Sequence, residues 1–212
     1  LNTACLLVSR VWCRLCSIDT GERRMSEESD GIVVMTQDEM RSRIAVFAEQ
    51  TGNDQLMVTQ GIPGFQRDIY SIIGRGVSED AGTQPGIVDS KGFNVAYVGA
   101  EPDNGSAMHT HQEIEVFIPM SGQWAVYWNE GDDMDEVLLE PMDCISVPGG
   151  VMRSFKNVGD TYGHLLVIIE GTENATVGRP QDVIDQAAAA GFTLDADGKM
   201  VNAAEQTGKG NE

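Results

Sequence analysis

Between residues 93 and 171 the chain is a series of short apolar segments separated by Gly, Asp, Asn or Pro. This pattern limits the folds that the chain can adopt. The segments are FNVAYVGAEP, IEVFIPM, QWAVYW, EVLLE, CISVP, MRSFKN and HLLVIIEG. Regular short strands joined by such turns are typical of an antiparallel sandwich or barrel, whereas an α/β fold alternates its strands with helices of about 10–15 residues. The sequence therefore predicts a mainly β fold.

Two of the three histidines of the chain lie close together, with a carboxylate four residues further on. His109, His111 and Glu115 are all odd-numbered positions of a segment that alternates like a strand. Since successive side chains of a strand point to opposite faces, a continuous strand would place all three on one face. Two imidazoles and one carboxylate suit non-heme Fe(II) and also accept Mn, Ni or Zn. The pattern predicts a metal site.

This segment resembles the first motif of the cupin superfamily, in which a Gly is followed by HxH, a Glu and a second Gly. HTH at residues 109–111, Glu115 and Gly122 match the motif. Gly105 departs from it, because only three residues separate Gly105 from the first histidine where the motif has five.

The segment SVPGGVMRSFKN resembles the second cupin motif through Pro148, Gly150 and Asn157. Arg153 stands where that motif has its histidine, and Met142 stands where it has a glycine. The resemblance covers roughly residues 90 to 172. It implies a double-stranded jelly-roll barrel, here flanked by N-terminal and C-terminal helices, and an assembly that in cupins is frequently a dimer. Cupins host many activities, so the resemblance alone does not indicate the reaction.

The sequence leaves three interpretations open for Arg153. A guanidinium has no acceptor and stays protonated, so it cannot replace a histidine as a metal ligand. It could anchor a carboxylate or enolate of the substrate beside the metal. It could instead neutralise Glu115 in a metal-free cavity, or point to solvent at the mouth of the barrel.

Two further residues, Glu113 and His164, could belong to this site or have only structural roles. Glu113 shares the parity of the three ligands and is interpreted first as a solvated residue, otherwise as an extra ligand or a base behind the ligands. His164 opens the segment HLLVIIEG and is expected at the periphery.

Outside the barrel the chain divides into a leader and a tail. Residues 1–35 are interpreted as a disordered or artefactual leader, with Met25 or Met35 as the true start. A barrel with an N-terminal helix follows at residues 36–175, and a C-terminal helix and tail at 176–212. Thr36 and Glu39 form a capping box that predicts a helix to near residue 50.

The end of the chain carries a second helix signal. Pro180 fits the first helical position of a helix that Gly191 ends, and DADGK at residues 195–199 predicts a turn. This turn lacks the rest of an EF-hand loop, so calcium binding is not predicted there.

Three of the four cysteines, at positions 5, 13 and 16, lie in the leader. The CxxC at 13–16 has neither a second pair for zinc nor a βαβ context for redox chemistry, so no role is predicted for it. Cys144 is predicted to be a small buried residue on a strand. A cytoplasmic protein without disulfides is the simplest interpretation.

The composition limits the partners of the protein. With 33 acidic against 14 basic residues, the formal charge is −19 at pH 7, which opposes binding to nucleic acid or to an anionic membrane. No segment reaches the roughly 20 apolar residues of a membrane span. Among possible partners, a small-molecule ligand is therefore predicted.

The strand that carries Glu115 also has apolar residues on its opposite face, at Ile114, Val116 and Ile118. They predict an outer face covered by the N-terminal helix or by a second subunit.

Two hypotheses of function follow. In the first, His109, His111 and Glu115 bind a divalent metal, with Fe(II) or Mn(II) favoured over Zn or Ni, in an enzyme resembling cupin dioxygenases that acts on a small carboxylate-bearing molecule. Arg153 would orient that substrate. A metal-dependent lyase or isomerase fits the same ligands. The second hypothesis is a non-catalytic cupin that binds a small ligand or a protein, which the missing fourth ligand favours.

Overall fold

The computed structural model describes residues 31–80, 82–171 and 176–202. The chain divides into two compact units, residues 1–36 and 37–212, and only residues 31–36 of the first are described. The interpretation of the leader, including the CxxC, lies almost entirely outside the described residues. The architecture that follows is that of the second unit.

The described part of the second unit is mostly β-structure with short helices. In chain order its regular elements are α1 (Gln37–Arg41), β1 (Asp68–Ile73), β2 (Phe93–Ala100), β3 (Glu115–Ser121), β4 (Trp124–Trp128), β5 (Asp135–Leu139), β6 (Ile145–Val147), β7 (Arg153–Asn157), β8 (Gly163–Glu170), α2 (Gln181–Ala189), β9 (Phe192–Leu194) and β10 (Met200–Asn202). Single turns of 3-10 helix lie at Phe47–Glu49, Val58–Gly61 and Gly131–Asp133. Each of the seven strand segments predicted between residues 93 and 171 contains an observed strand.

Two antiparallel sheets share one core. The larger sheet has the strand order β1-β2-β8-β3-β6, and the smaller has the order β5-β4-β7. Strands β3 and β4 follow each other in the chain but lie in different sheets, so the chain changes sheet at Gly122, whose φ of 74° is in the region that favours glycine. This arrangement confirms the predicted all-β jelly-roll barrel.

The core between the sheets is built from side chains of both. Phe117 and Leu165 of the larger sheet pack with Trp124, Val126 and Phe155 of the smaller one, and four of these five are fully buried. The Phe155 ring lies edge-on to Phe117 and Trp124, with ring centroids 5.3 and 5.9 Å apart. Burying each such side chain stabilises the fold by about 1.5–3 kcal/mol. The core therefore holds both sheets in place.

The N-terminal helix is much shorter than predicted. Helix α1 ends at Arg41, and Phe47–Glu49 forms only a separate 3-10 turn. The Ser42 hydroxyl donates a hydrogen bond to the Glu39 carbonyl at 2.7 Å, and the Arg43 amide donates to the Met40 carbonyl, so the helix tightens and stops. No side chain of α1 is buried, so no packing supports a longer helix.

The C-terminal helix is confirmed, with a small difference at its start. Helix α2 begins at Gln181, and Pro180 is the residue before it rather than its first residue. Val183 and Ala187 pack in a second apolar cluster with Val58 and Ile62. The predicted turn at residues 195–199 joins β9 to β10, and the Asp195 carboxylate accepts backbone hydrogen bonds within it.

The outer face of the larger sheet is only partly covered. Val116 and Ile118 are half-buried, whereas Ile114 is 45% exposed. Phe47, from the 3-10 turn, covers another part of this sheet, where its ring contacts Tyr70. The N-terminal segment thus covers the face less than the predicted helix would.

The prediction for Cys144 is wrong. This residue is exposed, because β6 begins one residue later, at Ile145. A short edge strand places fewer of its residues in the core than the alternating pattern suggested.

Candidate metal centre

The side chains of His109, His111 and Glu115 lie together, but the path of the chain between them differs from the predicted continuous strand. The segment before β3 pairs with the smaller sheet, since Gly105 bridges to Lys156 and His109 bridges to Arg153. The chain then bends at residues 112–113 and enters the larger sheet as β3, which starts at Glu115. The three side chains converge because the chain crosses between the sheets, not because they share one continuous strand.

The resulting cluster is compact and buried. One ligand atom from each of His109, His111 and Glu115 lies within 4.8 Å of the others. Their exposed fractions are 9%, 1% and 2%. The Nε2 atom of His111 lies 3.2 Å from Oε2 of Glu115. The distances and the donor atoms suit a divalent ion with positions left open for other ligands.

The second nitrogen of each imidazole has its own neighbour. Nδ1 of His109 donates to the carbonyl of Ala107 at 2.9 Å, which leaves Nε2 for the cluster. Nδ1 of His111 lies 3.3 Å from Oε2 of Glu113. Metal-binding histidines usually donate their other N–H to a carbonyl or a carboxylate, which fixes the ring and its tautomer. The residues present therefore fit a metal.

Glu113 differs from its first interpretation as a solvated residue. Its side chain is 29% exposed, and its carboxylate contacts the ring of a candidate ligand. The alternative of a group behind the ligands describes its position better.

The electrostatics also suit metal binding at His109. Burial lowers the pKa of His109 to about 4, although the nearby Glu115 opposes this shift. The imidazole is consequently neutral at pH 7, which is the form that binds a metal.

Arg153 is buried beside the cluster. It is fully buried, which excludes the interpretation in which it points to solvent. Its Nε lies 3.5 Å from Oε2 of Glu115. The guanidinium also donates to three backbone carbonyls at 3.3–3.4 Å, those of His111, Glu113 and Pro148. Burial lowers the pKa of Arg153, while the two glutamates oppose that shift.

The second motif lies directly against the first. The Gly150 amide donates to the His111 carbonyl at 2.8 Å. A Cβ at Gly149 would lie 1.9 Å from the carbonyl oxygen of Gln112, so the two segments approach more closely than a side chain allows. Asn157 is fully buried, and its amide group donates to the carbonyls of Ala100 and Thr161, each at 2.8 Å. Both motifs thus have structural roles at the same end of the two-sheet barrel. The chain has a cupin fold.

Comparisons with known proteins find similarity only at a low level. No protein-family model matches the chain, and no curated protein matches its sequence. A cupin 2 domain-containing protein from Halorhodospira halophila is 17% identical, with a TM-score of 0.45, and the match covers 58% of this chain and 77% of that one.

Two other solved structures extend over more of the chain. An oxalate oxidase is 16% identical, with a TM-score of 0.48, covering 78% of this chain and 84% of its own. Peruvianin-I, a cysteine peptidase from Thevetia peruviana latex, is 15% identical, with a TM-score of 0.49, covering 69% and 80%. These likenesses concern the fold alone, and the assignment of the cupin fold rests on the strands and motifs described above.

The cavity of the cupin barrel contains residues that the sequence did not single out. A cavity of about 60 Å³ is lined by His109 and Glu115, by Arg67 and Arg75, and by apolar side chains such as Val98 and Phe155. No sequence motif includes either arginine, so only their place in the fold brings them to the site. His164 lies elsewhere, with its ring against Phe47 and Tyr162, as its peripheral placement predicted.

No helix in residues 31–80, 82–171 and 176–202 combines the length and the apolar character needed to cross a bilayer.

Proposed function

We propose that the protein is a metal-dependent cupin enzyme that acts on a small carboxylate-bearing molecule, with an oxidoreductase of the dioxygenase type as the favoured reaction. His109, His111 and Glu115 would hold Fe(II) or Mn(II), and Zn or Ni would suit the same donors. The ion would supply a Lewis acid and open coordination positions for small ligands. A lyase or isomerase reaction would use the same ligand set.

The observation that supports this proposal is the arrangement of the two imidazoles. Nδ1 of His109 donates to the Ala107 carbonyl, and Nδ1 of His111 lies 3.3 Å from the Glu113 carboxylate without a hydrogen bond between them. Metal sites place a carbonyl or a carboxylate beside the second nitrogen of their histidines, and here both rings also face the Glu115 carboxylate. The burial that keeps His109 neutral works in the same direction.

A second function is favoured by Arg153. Its Nε lies near the oxygen of Glu115 that also faces His111, so the arginine can neutralise that carboxylate in the absence of a metal. In this alternative the protein is a non-catalytic cupin whose cavity binds a small ligand or whose surface binds a protein.

Metal analysis of matched variants distinguishes the two functions. Protein purified without chelator or nickel affinity and reconstituted with Fe(II) under anaerobic conditions should contain one metal per chain. His109→Ala and His111→Ala should lose it while remaining folded, because the apolar core does not depend on them. His164→Ala is the matched control and should keep the metal. Equal metal content in all four proteins would contradict the proposal.

Variants of Arg153 complete this experiment. If the enzyme proposal holds, Arg153→Lys keeps the metal, and Arg153→His binds it more tightly because it adds the missing fourth ligand. In the non-catalytic alternative the unmodified protein is metal-free, and only Arg153→His acquires metal.

We also propose a cytoplasmic homodimer that binds neither nucleic acid nor membranes. The formal charge of −19 supports the absence of polyanionic partners. The partly exposed apolar outer face of the larger sheet supports a second copy as the partner.

A further inference from the structure

The barrel cavity contains a buried cation that forms no ion pair with any carboxylate in the part of the chain that the structure describes. Arg67, just before β1, is 7% exposed and lines the cavity together with His109 and Glu115. Its terminal nitrogens donate to the carbonyls of Phe65 and Gly105, at 2.8 and 3.2 Å, and to the Thr59 hydroxyl at 3.4 Å. All three acceptors are neutral, so within the described part of the chain no carboxylate forms an ion pair with this guanidinium.

The nearby carboxylates already have other cationic partners. Glu79 forms an ion pair with Arg179 at 2.6 Å, and its other oxygen accepts a hydrogen bond from the Val58 amide. Glu115 has Arg153 at 3.5 Å. Burial and the neighbouring Arg179 lower the pKa of Arg67 to about 10, although Glu79 and Glu115 oppose this shift, and the guanidinium stays charged at pH 7. A buried charge that forms no ion pair is unfavourable, and an anion that enters the cavity would relieve it.

The cavity also limits the size of that anion. The cavity volume is about 60 Å³. Since one water needs about 10–15 Å³, the cavity holds roughly four to six waters. The remaining walls include Ile69, Val98 and Val167, which offer no hydrogen bonds. The space is therefore suited to a molecule of a few non-hydrogen atoms with one charged end and little other polarity.

We propose that Arg67 binds the carboxylate of a small aliphatic acid inside the barrel, with the opposite end of the acid against His109 and Glu115. A guanidinium matches a carboxylate with two parallel N–H donors, which a point charge does not reproduce. This inference rests on the proposed function in one respect, namely that the far end of the acid contacts the metal site. Anion binding at Arg67 itself requires no metal. It assigns the anchoring role to Arg67, whereas Arg153 is not among the described residues that line the cavity.

Binding of acetate, its neutral isostere acetamide and sulfate tests the proposal on the intact chain by titration calorimetry. Acetate should bind at least tenfold more tightly than acetamide or sulfate, both before and after metal removal. Arg67→Lys and Arg67→Met should each weaken acetate binding at least tenfold, with metal content unchanged. Arg41→Met is the matched control, because Arg41 is exposed on α1, and it should bind acetate like the unmodified protein.

Several results would overturn the inference. If acetamide or sulfate binds the unmodified protein as tightly as acetate does, the inference is wrong. This comparison needs no variant, so it remains decisive even if the Arg67 variants fail to fold. Unchanged acetate binding in a folded Arg67→Lys would overturn the inference as well. Metal without acetate binding contradicts this inference alone, whereas acetate binding through Arg67 in a protein that takes up no metal contradicts only the proposed enzyme.

Discussion

Arg153 is the residue at which this chain departs most from the cupin motifs. A guanidinium is larger than an imidazole and carries a fixed charge, so burying it requires acceptors on several sides. The chain provides three backbone carbonyls and the carboxylate of Glu115. The motif position is therefore occupied by a residue that supports the local backbone, and the site is left with three candidate ligands.

Met142 is a second departure, and it has a consequence for stability. This exposed residue has a φ of 79° at the position where the motif has a glycine. A side chain is strained there, whereas glycine is not. We expect Met142→Gly to stabilise the fold by about 1 kcal/mol, which raises the Tm by about 2–4 °C for a chain of this size.

Thermal unfolding by circular dichroism measures this effect. The control is Met134→Gly, since Met134 is also exposed but has a φ of −66°, where glycine brings no relief and lowers stability. An equal or lower Tm for Met142→Gly would show that the turn carries no strain.

At the scale of elements, the segment from residue 105 to 115 decides the site. It begins against β7 of the smaller sheet and ends as β3 of the larger one. Its start is held by a close approach, since a Cβ at Gly105 would lie 1.9 Å from the carbonyl oxygen of Phe155. That contact involves backbone, which cannot rotate away as a side chain would.

Gly105→Ala should consequently push this segment away from β7. We expect a loss of about 3 kcal/mol in the free energy of unfolding, and weaker metal binding because His109 lies on the displaced segment. Gly82→Ala is the control, because a Cβ there meets only the Asp80 carboxylate at an ordinary 3.4 Å. Denaturant unfolding and metal titration of both variants provide the measurements. Equal stability of the two variants would contradict the role given to this contact.

At the scale of the whole molecule, net charge and an apolar surface act in opposite directions. A formal charge of −19 on each copy opposes association, and salt screens this repulsion. The outer face of the larger sheet favours association, because Ile114 and Met120 are 45% and 39% exposed beside the half-buried Ile118.

We expect the proposed dimer to form through this outer face and to tighten with increasing salt. Ile118→Lys should give a monomer in sedimentation experiments, with its metal content unchanged. Leu138→Lys introduces the same charge at an exposed apolar residue of the smaller sheet and should leave the dimer intact. A monomer at all salt concentrations, or equal dissociation in both variants, would refute this assembly.

The sequence alone determined the strands and the candidate ligands, because both depend on local spacing. Alternating apolar residues with turn residues between them specify short antiparallel strands. His109, His111 and Glu115 are only a few residues apart, so a modest error in the path between them did not separate their side chains.

Only the tertiary structure decided the features that depend on contacts between distant segments. The predicted helix to residue 50 failed because helical spacing does not reveal whether a packing surface exists, and α1 buries no side chain. Cys144 became exposed because β6 starts one residue beyond it. Arg67 belongs to no motif and lies 42 residues before His109, and it lines the same cavity only because β1 and the crossing segment belong to one barrel.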